Sequence, residues 1–209
     1  MKSKLCIVFF VVVLLMSGCS EKTDEEIFYK AQKQMVDMET YICTADITIY
    51  GNKTPIKYTA KQWYKTPNKY KIEVVGPETL KGKVTIYNGK RAWVSHPRIG
   101  QEWLMEDFST TIEQKFFLGY FLNNFLNTEN PQLSRETVED KEYILIGAEI
   151  PGNHPYFTKE RLWFDIKKYY PRRLQVLDTN DNVIINVEYI DFKFNENLNN
   201  NIFKIKGDI

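Results

Sequence analysis

The pattern of hydrophobic and polar positions divides the chain into an apolar N-terminal run and a long region of alternating patterns. The run extends from Leu5 to Met16 without a polar residue and follows two lysines near the start. It is shorter than the roughly 20 residues that a helix needs to cross a bilayer. A positive start, a short apolar run and then Ser17 and Gly18 are typical of a secretory signal peptide. We therefore expect residues 1–18 to be a signal peptide.

A helical period follows a short polar segment, residues 19–24. Thr23 to Glu26 fits a capping box, and its acidic residues lie in the first turn, where the helix dipole favours them. We expect an amphipathic helix that packs on the core, because apolar residues then recur every three or four positions. The stripe consists of Phe28, Ala31, Met35 and Met38.

From Tyr41 onwards the period changes to two. Cys43, Ala45 and Ile47 alternate with polar residues, as in a strand with one buried face. Similar segments follow, separated by turn-forming pairs such as Gly76-Pro77. The pattern predicts a meander of antiparallel strands. The predicted strands are 41–50, 56–64, 69–75, 83–87, 91–95, 102–106, 141–150, 160–166, 172–178 and 183–194.

A second, apolar helix interrupts the strands. We expect it to begin at Ser109 or Thr110, with Glu113 completing a capping box, and the segment to end at Asn130-Pro131. It has too many apolar residues for a narrow stripe, so it should be buried on more than one side. The candidate face for an apolar ligand or a partner consists of Phe116, Phe117, Tyr120, Phe121 and Phe125.

These segments predict a single α+β domain, residues 25–209. Its sheet should be antiparallel, with about nine to eleven strands, and sheets of that size tend to curl. A sheet curled around an apolar helix gives an open half-barrel, with both helices on the concave side. The acidic segment 178–182 is interpreted as a hairpin turn, because Val183 and Tyr189 occupy positions where a calcium loop requires Gly and Glu.

The cysteines give information about location. The segment from Leu15 to Cys19 resembles the lipobox of bacterial lipoproteins, and an ordinary signal peptide is the alternative. The resemblance implies an acylated Cys19, a lipidated tether at residues 19–24, and an extracytoplasmic protein anchored to the cell or spore membrane. Durable anchoring needs more than one acyl chain, and lipoproteins of this type carry two or three. Cys6 would leave with the signal peptide, so Cys43 would remain as a buried, inert thiol.

Charge and motif content exclude several classes of function. Removing two lysines with the signal peptide from 28 basic side chains leaves 26, against 27 acidic ones, and the signs are mixed along the chain. That pattern does not fit nucleic-acid binding. Only His96 and His154 are present, each before a proline, and the common nucleophile, zinc and phosphate-loop motifs are absent. We therefore predict no enzyme, metal or cofactor. A two-histidine zinc site completed by a carboxylate is a minor alternative.

The aromatic content leaves two interpretations open. The tryptophans can form the core of a curved sheet, or they can line an apolar cavity or an exposed docking patch. Open half-barrels also leave strand edges, which invite pairing with a partner or with a second copy in a homodimer. The four tryptophans are Trp63, Trp93, Trp103 and Trp163.

The order of several motifs resembles one family. The motifs lie at residues 63–73, 86–93, 162–165 and 170–173, and they read WYKTPNKYKIE, IYNGKRAW, LWFD and YPRR. In this order, after a lipobox and a helix, they resemble the LolA/LolB-like fold of lipoprotein carriers over nearly the whole mature chain. Within that fold the chain is most similar to the germination lipoproteins of clostridia.

The resemblance implies a function. A germination lipoprotein of this kind would be the noncatalytic partner of a spore-cortex N-acetylmuramoyl-L-alanine amidase of the CwlD type, needed for cortex modification and germination. The alternative is a carrier of a lipid or of a lipoprotein acyl chain on the concave face. A tether at Cys19 argues against a soluble shuttle.

Overall fold

A computed structural model describes residues 22–106 and 111–205 of the 209-residue chain. The predicted signal peptide, Cys19, Ser109 and Thr110 lie outside these ranges. The helices are α1 (Asp24–Val36) and α2 (Leu118–Leu126). The strands are β1 (Thr40–Ile49), β2 (Ile56–Lys65), β3 (Lys69–Gly76), β4 (Val84–Tyr87), β5 (Ala92–His96), β6 (Gln101–Met105), β7 (Gln132–Val138), β8 (Lys141–Glu149), β9 (Lys159–Asp165), β10 (Pro171–Leu177) and β11 (Val183–Phe194).

The described strands form one antiparallel sheet in the order β6-β5-β4-β3-β2-β1-β11-β10-β9-β8-β7. Strands that follow one another in sequence pair, except that β6 and β7 lie at opposite edges, and β1 pairs with β11 at the centre. The chain therefore builds one wing outwards from the centre, crosses over through α2, and builds the other wing inwards. The edges of the sheet are β6 and β7.

A single core lies on the concave face of this sheet. It joins Tyr70 and Ala92 from one wing to Ile144 and Ile146 from the other, together with both helices. Side chains from opposite wings can share a core only if the sheet curls, as the twist of many antiparallel strands favours. The predicted α+β half-barrel is confirmed.

Helix α1 follows its predicted pattern closely. The Thr23 hydroxyl accepts a hydrogen bond from the Glu26 backbone N–H at 3.3 Å, which caps the first turn. Ala31 and Met35 are buried as expected. In the first turns Ile27 is buried, whereas Phe28 is only partly buried.

The second helix differs from its prediction. Residues Ile112–Phe116 form a 3₁₀ turn, Phe117 is extended, and the α-helix starts only at Leu118. Glu113 forms an ion pair with Lys83 at 2.7 Å, and the predicted cap residues Ser109 and Thr110 lie outside the described ranges. The break places Phe116, Phe117 and Leu118 all inside the core, which three consecutive residues of one regular helix could not achieve while facing a single sheet.

The ten predicted strands are confirmed, with ends within one residue of the predicted bounds. Strand β7 is the one strand of the described ranges that the pattern missed. Its sequence QLSRETV is polar, because an edge strand with two half-exposed faces needs no apolar alternation. Segment 178–182 forms the β10–β11 hairpin turn, in which Asp178 accepts backbone hydrogen bonds from Asn180 and Asn182.

The convex face has two small apolar clusters of its own. Phe203 and Ile205, near the C-terminus, pack on Ile86 with Trp63 and Trp93 beside them. On the other wing, Trp163 packs with Tyr143 and Leu145. Trp103 is 44% exposed on edge strand β6. The described tryptophans therefore lie outside the concave core, which is built from phenylalanine, tyrosine and aliphatic residues.

Candidate functional site

The aromatic segment predicted as a ligand or partner face fills the concave side of the half-barrel. Phe116, Phe117 and Phe121 are fully buried, Phe125 is 4% exposed, and Tyr120 is half-buried. Phe117 packs against Tyr70 with ring centroids 4.5 Å apart. A role as a binding face stays a prediction, and it would require α2 to move away from the sheet.

Buried polar side chains hold the break before α2. The Phe116 carbonyl accepts hydrogen bonds from the Tyr189 hydroxyl at 3.0 Å and from the Gln62 amide at 3.2 Å. The Leu118 N–H donates to the Tyr41 hydroxyl at 3.2 Å, and that hydroxyl donates to Gln62 Oε1 at 3.1 Å. These bonds satisfy backbone groups that a broken helix leaves free. Burial raises the pKa values of Tyr41 and Tyr189 well above their usual range, so both hydroxyls stay neutral.

A buried carboxyl group lies beneath α2. Glu160 is fully buried on β9, and its Oε2 accepts a hydrogen bond from the Asn124 amide at 2.8 Å, while Oε1 has no partner among the described residues. Burial raises the pKa of Glu160 to about 8, against the opposing effects of Asn124 and the Lys115 charge. The carboxyl group is therefore mostly protonated at neutral pH.

Lys115 is the basic residue whose charge acts on the pKa of this carboxyl group. Its ammonium lies over the rings of Tyr120 and Phe157, 5.1 and 4.8 Å from their centroids. Burial lowers the pKa of Lys115, and the Glu160 charge acts in the opposite direction. Sequence reasoning missed this pair, although Glu160 alternates with Leu162 and Phe164 on the inward face of β9, a register that signals a buried carboxyl.

The concave side also contains an apolar cavity of about 220 Å³ near β2–β4. Tyr58, Ile72, Val74 and Ile112 are among its lining residues, and the Lys83–Glu113 ion pair also borders it. An apolar cavity of about 150 Å³ is large enough to hold benzene, so this one has room for a short apolar group.

The predicted inert thiol is confirmed as a buried free cysteine. Cys43 is 2% exposed, and burial raises its pKa well above the usual range. Within residues 22–106 and 111–205, no cluster of three or more His, Cys, Asp or Glu side chains could hold a metal ion. The same part of the chain contains no helix long and apolar enough to cross a membrane.

The two edge strands differ in character. On β6, Trp103 and Leu104 are 44% and 49% exposed. On β7, the exposed Leu133 is followed by the charged residues Arg135 and Glu136. Charged side chains discourage pairing between edges, so β6 is the less protected of the two.

The sequence is similar to known sporulation proteins. The sequence model of the YdcC-like sporulation proteins matches residues 1–203. The sporulation protein YdcC of Bacillus subtilis (strain 168) is 21% identical over 200 residues, which cover 95% of this chain and 58% of that protein. The chain thus spans little more than half the length of this relative.

Two solved structures are also similar. One is the complex of the CwlD amidase from Clostridioides difficile with the GerS lipoprotein, with 31% identity, a TM-score of 0.50, and coverage of 84% of this chain and 98% of the matched chain. The other is the LolA superfamily protein NE2245 from Nitrosomonas europaea, with 15% identity, a TM-score of 0.47, and coverage of 88% and 99%.

The class of protein follows from the fold and its filled concave face: this is an open α+β half-barrel, as the sequence predicted. The chain resembles the GerS lipoprotein more specifically. It belongs to the family of YdcC-like sporulation proteins.

Proposed function

We propose that this protein is a membrane-tethered, noncatalytic lipoprotein that binds a spore-cortex peptidoglycan amidase of the CwlD type and activates or positions it. We also propose that cortex modification and germination require this protein. The observation that carries it is the 31% identity to GerS, over 84% of this chain and 98% of the matched chain, in a structure of GerS with that amidase.

The position of the most strongly perturbed carboxyl group supports a noncatalytic role. Glu160 is enclosed between β9 and α2 and has no exposure to solvent. A general acid or base must come within hydrogen-bond distance of its substrate. A polymer as large as peptidoglycan could not approach this carboxyl group without displacement of α2.

The amidase role is tested by reconstitution with the purified CwlD-type amidase of the same organism. We expect the protein alone to release no peptide from cortex peptidoglycan, and to raise the rate of release when added to the amidase. The two proteins should also elute together in size-exclusion chromatography. Separate elution together with an unchanged rate would disprove the proposal.

We also propose that Cys19 carries the membrane anchor. A palmitate analogue supplied to cells should label the wild-type protein and not a Cys19→Ala variant, because the thiol is the site of acylation. Cys43→Ala is the matched control and should be labelled like the wild type, since its buried thiol is inert. Label on the Cys19→Ala variant would contradict the lipobox interpretation.

A homodimer through strand β6 is a further part of the proposal. An edge strand that exposes Trp103 and Leu104 offers an open side and apolar area to a second copy. We expect Leu104→Lys to shift the molecular mass measured by light scattering from dimer to monomer. Leu133→Lys on β7, 42% exposed in the wild type, is the control that should leave the mass unchanged. A monomeric wild type would rule out the dimer.

The 220 Å³ cavity supports a second candidate, the binding of a lipid or of an acyl chain. Native mass spectrometry of protein taken from cells would then show an additional apolar ligand, lost on replacing Ile72 with Trp to fill the cavity. Wild-type protein with no noncovalently bound ligand would eliminate this candidate. The filling of the concave face by Phe116, Phe121 and Phe125 makes it the less favoured of the two.

A further inference from the structure

We infer that a basic pocket at the β9–β10 turn binds the phosphate headgroups of anionic phospholipids and holds the domain in one orientation on the membrane. This inference rests on the proposed anchor at Cys19. The pocket has a volume of about 430 Å³. Four cationic side chains line it, on β8, on β10 and in the turn between β9 and β10. They are Lys141, Lys167, Lys168 and Arg172.

Most of these cations have no carboxylate partner among residues 22–106 and 111–205. Lys141 and Lys167 form no ion pair with any residue in the described ranges, and Lys168 lies over the Tyr170 ring, 5.8 Å from its centroid. Arg172, which also lines the pocket, donates one hydrogen bond to the Tyr189 carbonyl at 2.8 Å, which holds its guanidinium in place. Unpaired cations that converge on one cavity are suited to an anionic group.

The two carboxylates that line the pocket are engaged elsewhere. Glu142 accepts a hydrogen bond from Arg135 at 3.3 Å. Asp165 accepts the backbone N–H groups of Lys167 and Lys168 at 2.8 and 2.7 Å, which shapes the turn. Glu142 is therefore paired with an arginine outside the pocket lining, while Asp165 keeps its charge and shapes the turn. The lining still has four cations against two carboxylates.

The start of the described chain docks beside this pocket. The Lys22 ammonium donates to the Tyr169 hydroxyl at 2.9 Å, in the same turn as Lys168. Arg135 forms an ion pair with Asp24 at 2.7 Å and also contacts Glu142 of the pocket. The tether end and the pocket therefore share one network of contacts.

The proposed anchor favours a membrane lipid as the anion. Cys19 precedes Lys22 by three residues, and three extended residues span at most about 11 Å. An acylated Cys19 therefore keeps Lys22, which contacts the turn beside the pocket, within about 11 Å of the bilayer surface. Basic side chains near that surface are attracted to anionic headgroups. A soluble anion would gain nothing from this proximity.

The test uses the acylated protein in vesicles of phosphatidylcholine, with or without phosphatidylglycerol. The rate at which a water-soluble reagent acetylates each lysine is measured by mass spectrometry. With phosphatidylglycerol present, we expect Lys141, Lys167 and Lys168 to react about fivefold more slowly, and high salt to restore their rates. Lys57 and Lys61, exposed on β2, should react equally fast in both vesicles.

Substitutions then separate the pocket from charge in general. In Lys167→Gln/Lys168→Gln, Lys141 should lose its protection, because the headgroup loses two of its cationic contacts. The matched control Lys57→Gln/Lys61→Gln removes the same charge from β2 and should leave Lys141 protected.

Two results of this experiment would overturn the inference. Equal acetylation rates in both vesicles would mean that the headgroup is not bound, and any slowing relative to vesicle-free protein would then come from the tether alone. Protection by inorganic phosphate without vesicles, and none by phosphatidylglycerol, would make this a site for soluble anions.

Failure of the anchor gives a different signature. The Cys19 peptide would then lack the mass of a lipid, and the protein would not float with phosphatidylcholine vesicles. Even so, the pocket should make the unacylated protein float with phosphatidylglycerol vesicles at low salt. If the unacylated protein does not float with those vesicles, the inference about the pocket is also overturned.

Discussion

At the scale of single residues, Glu160 is the side chain whose environment departs most from its ordinary chemistry. It has no exposure to solvent, one hydrogen-bond donor in Asn124, and a basic neighbour in Lys115 whose ammonium lies over two aromatic rings. Its pKa of about 8 lies above the value of 4.5 of a free carboxyl group. Stability should therefore depend on pH through this residue.

The sign of that dependence follows from proton binding. Between pH 4.5 and about 8 the folded state keeps the Glu160 proton that the unfolded state has lost, so the free energy of unfolding falls as pH rises. Each pKa unit corresponds to about 1.4 kcal/mol, so the loss between about pH 5 and about pH 9 should be on the order of a few kcal/mol. Glu160→Gln should remove most of this slope in urea unfolding measured across that range.

The control for this prediction is Glu149→Gln, on exposed Glu149 at the end of the neighbouring strand β8. It should keep the wild-type slope, since its carboxylate is solvated in both states. An unchanged slope in Glu160→Gln would show that another group causes the pH dependence.

At the scale of elements, the close approach of α2 to β2 determines how the concave side is filled. A Cβ added at Gly119 would lie 2.4–2.7 Å from ring atoms of Tyr64. That ring cannot easily move, because it stacks on Tyr41 at 5.2 Å and lies 5.4 Å from Tyr70. Gly119 is therefore required by packing and not by a special backbone conformation.

We expect Gly119→Ala to destabilise the protein. In an ordinary helix this change stabilises by about 1 kcal/mol, but the clash with Tyr64 should cost about 1–3 kcal/mol. Thermal and urea unfolding would measure the difference. Gly51→Ala is the control, since nothing lies within 4 Å of its added Cβ.

A double-mutant cycle with Tyr64→Ala sharpens this test. If the ring causes the loss, Gly119→Ala should cost much less in the Tyr64→Ala background than in the wild type. Additive effects would mean that Gly119 matters for another reason.

At the scale of the whole molecule, the sheet has a protected centre and two edges. Strand β1 is paired on both sides, with β2 and β11, whereas among the described strands β6 pairs with β5 alone. The concave core also lies across the central strands and both wings. Local opening should therefore need the least free energy at the edges.

Hydrogen exchange should reproduce this order. We expect backbone amides of β1 and β11 to exchange slowest and those of β6 and β7 to exchange much faster, measured by mass spectrometry on dilute protein. In the proposed dimer, β6 should become protected as the concentration rises, while β7 should not. Fast exchange of β1 would contradict the central pairing.

Sequence periodicity was sufficient for most elements. Strands and hairpin turns depend on alternation and on turn residues that act locally, so ten strands and the Thr23 cap were correctly predicted. Strand β7 was missed because a polar edge strand has no buried face to impose alternation. The curled sheet also followed from strand number, since twist accumulates with each added strand.

Tertiary structure alone decided the remaining features. The break at Phe117 exists because Tyr41, Gln62 and Tyr189, all distant in sequence, supply hydrogen bonds to the free backbone groups. The basic pocket likewise joins the β9–β10 turn to residues of β8 and β10. Local patterns predict which residues prefer a strand, a turn or a helix, whereas burial of Glu160 and convergence of charges depend on which distant segments the curled sheet brings together.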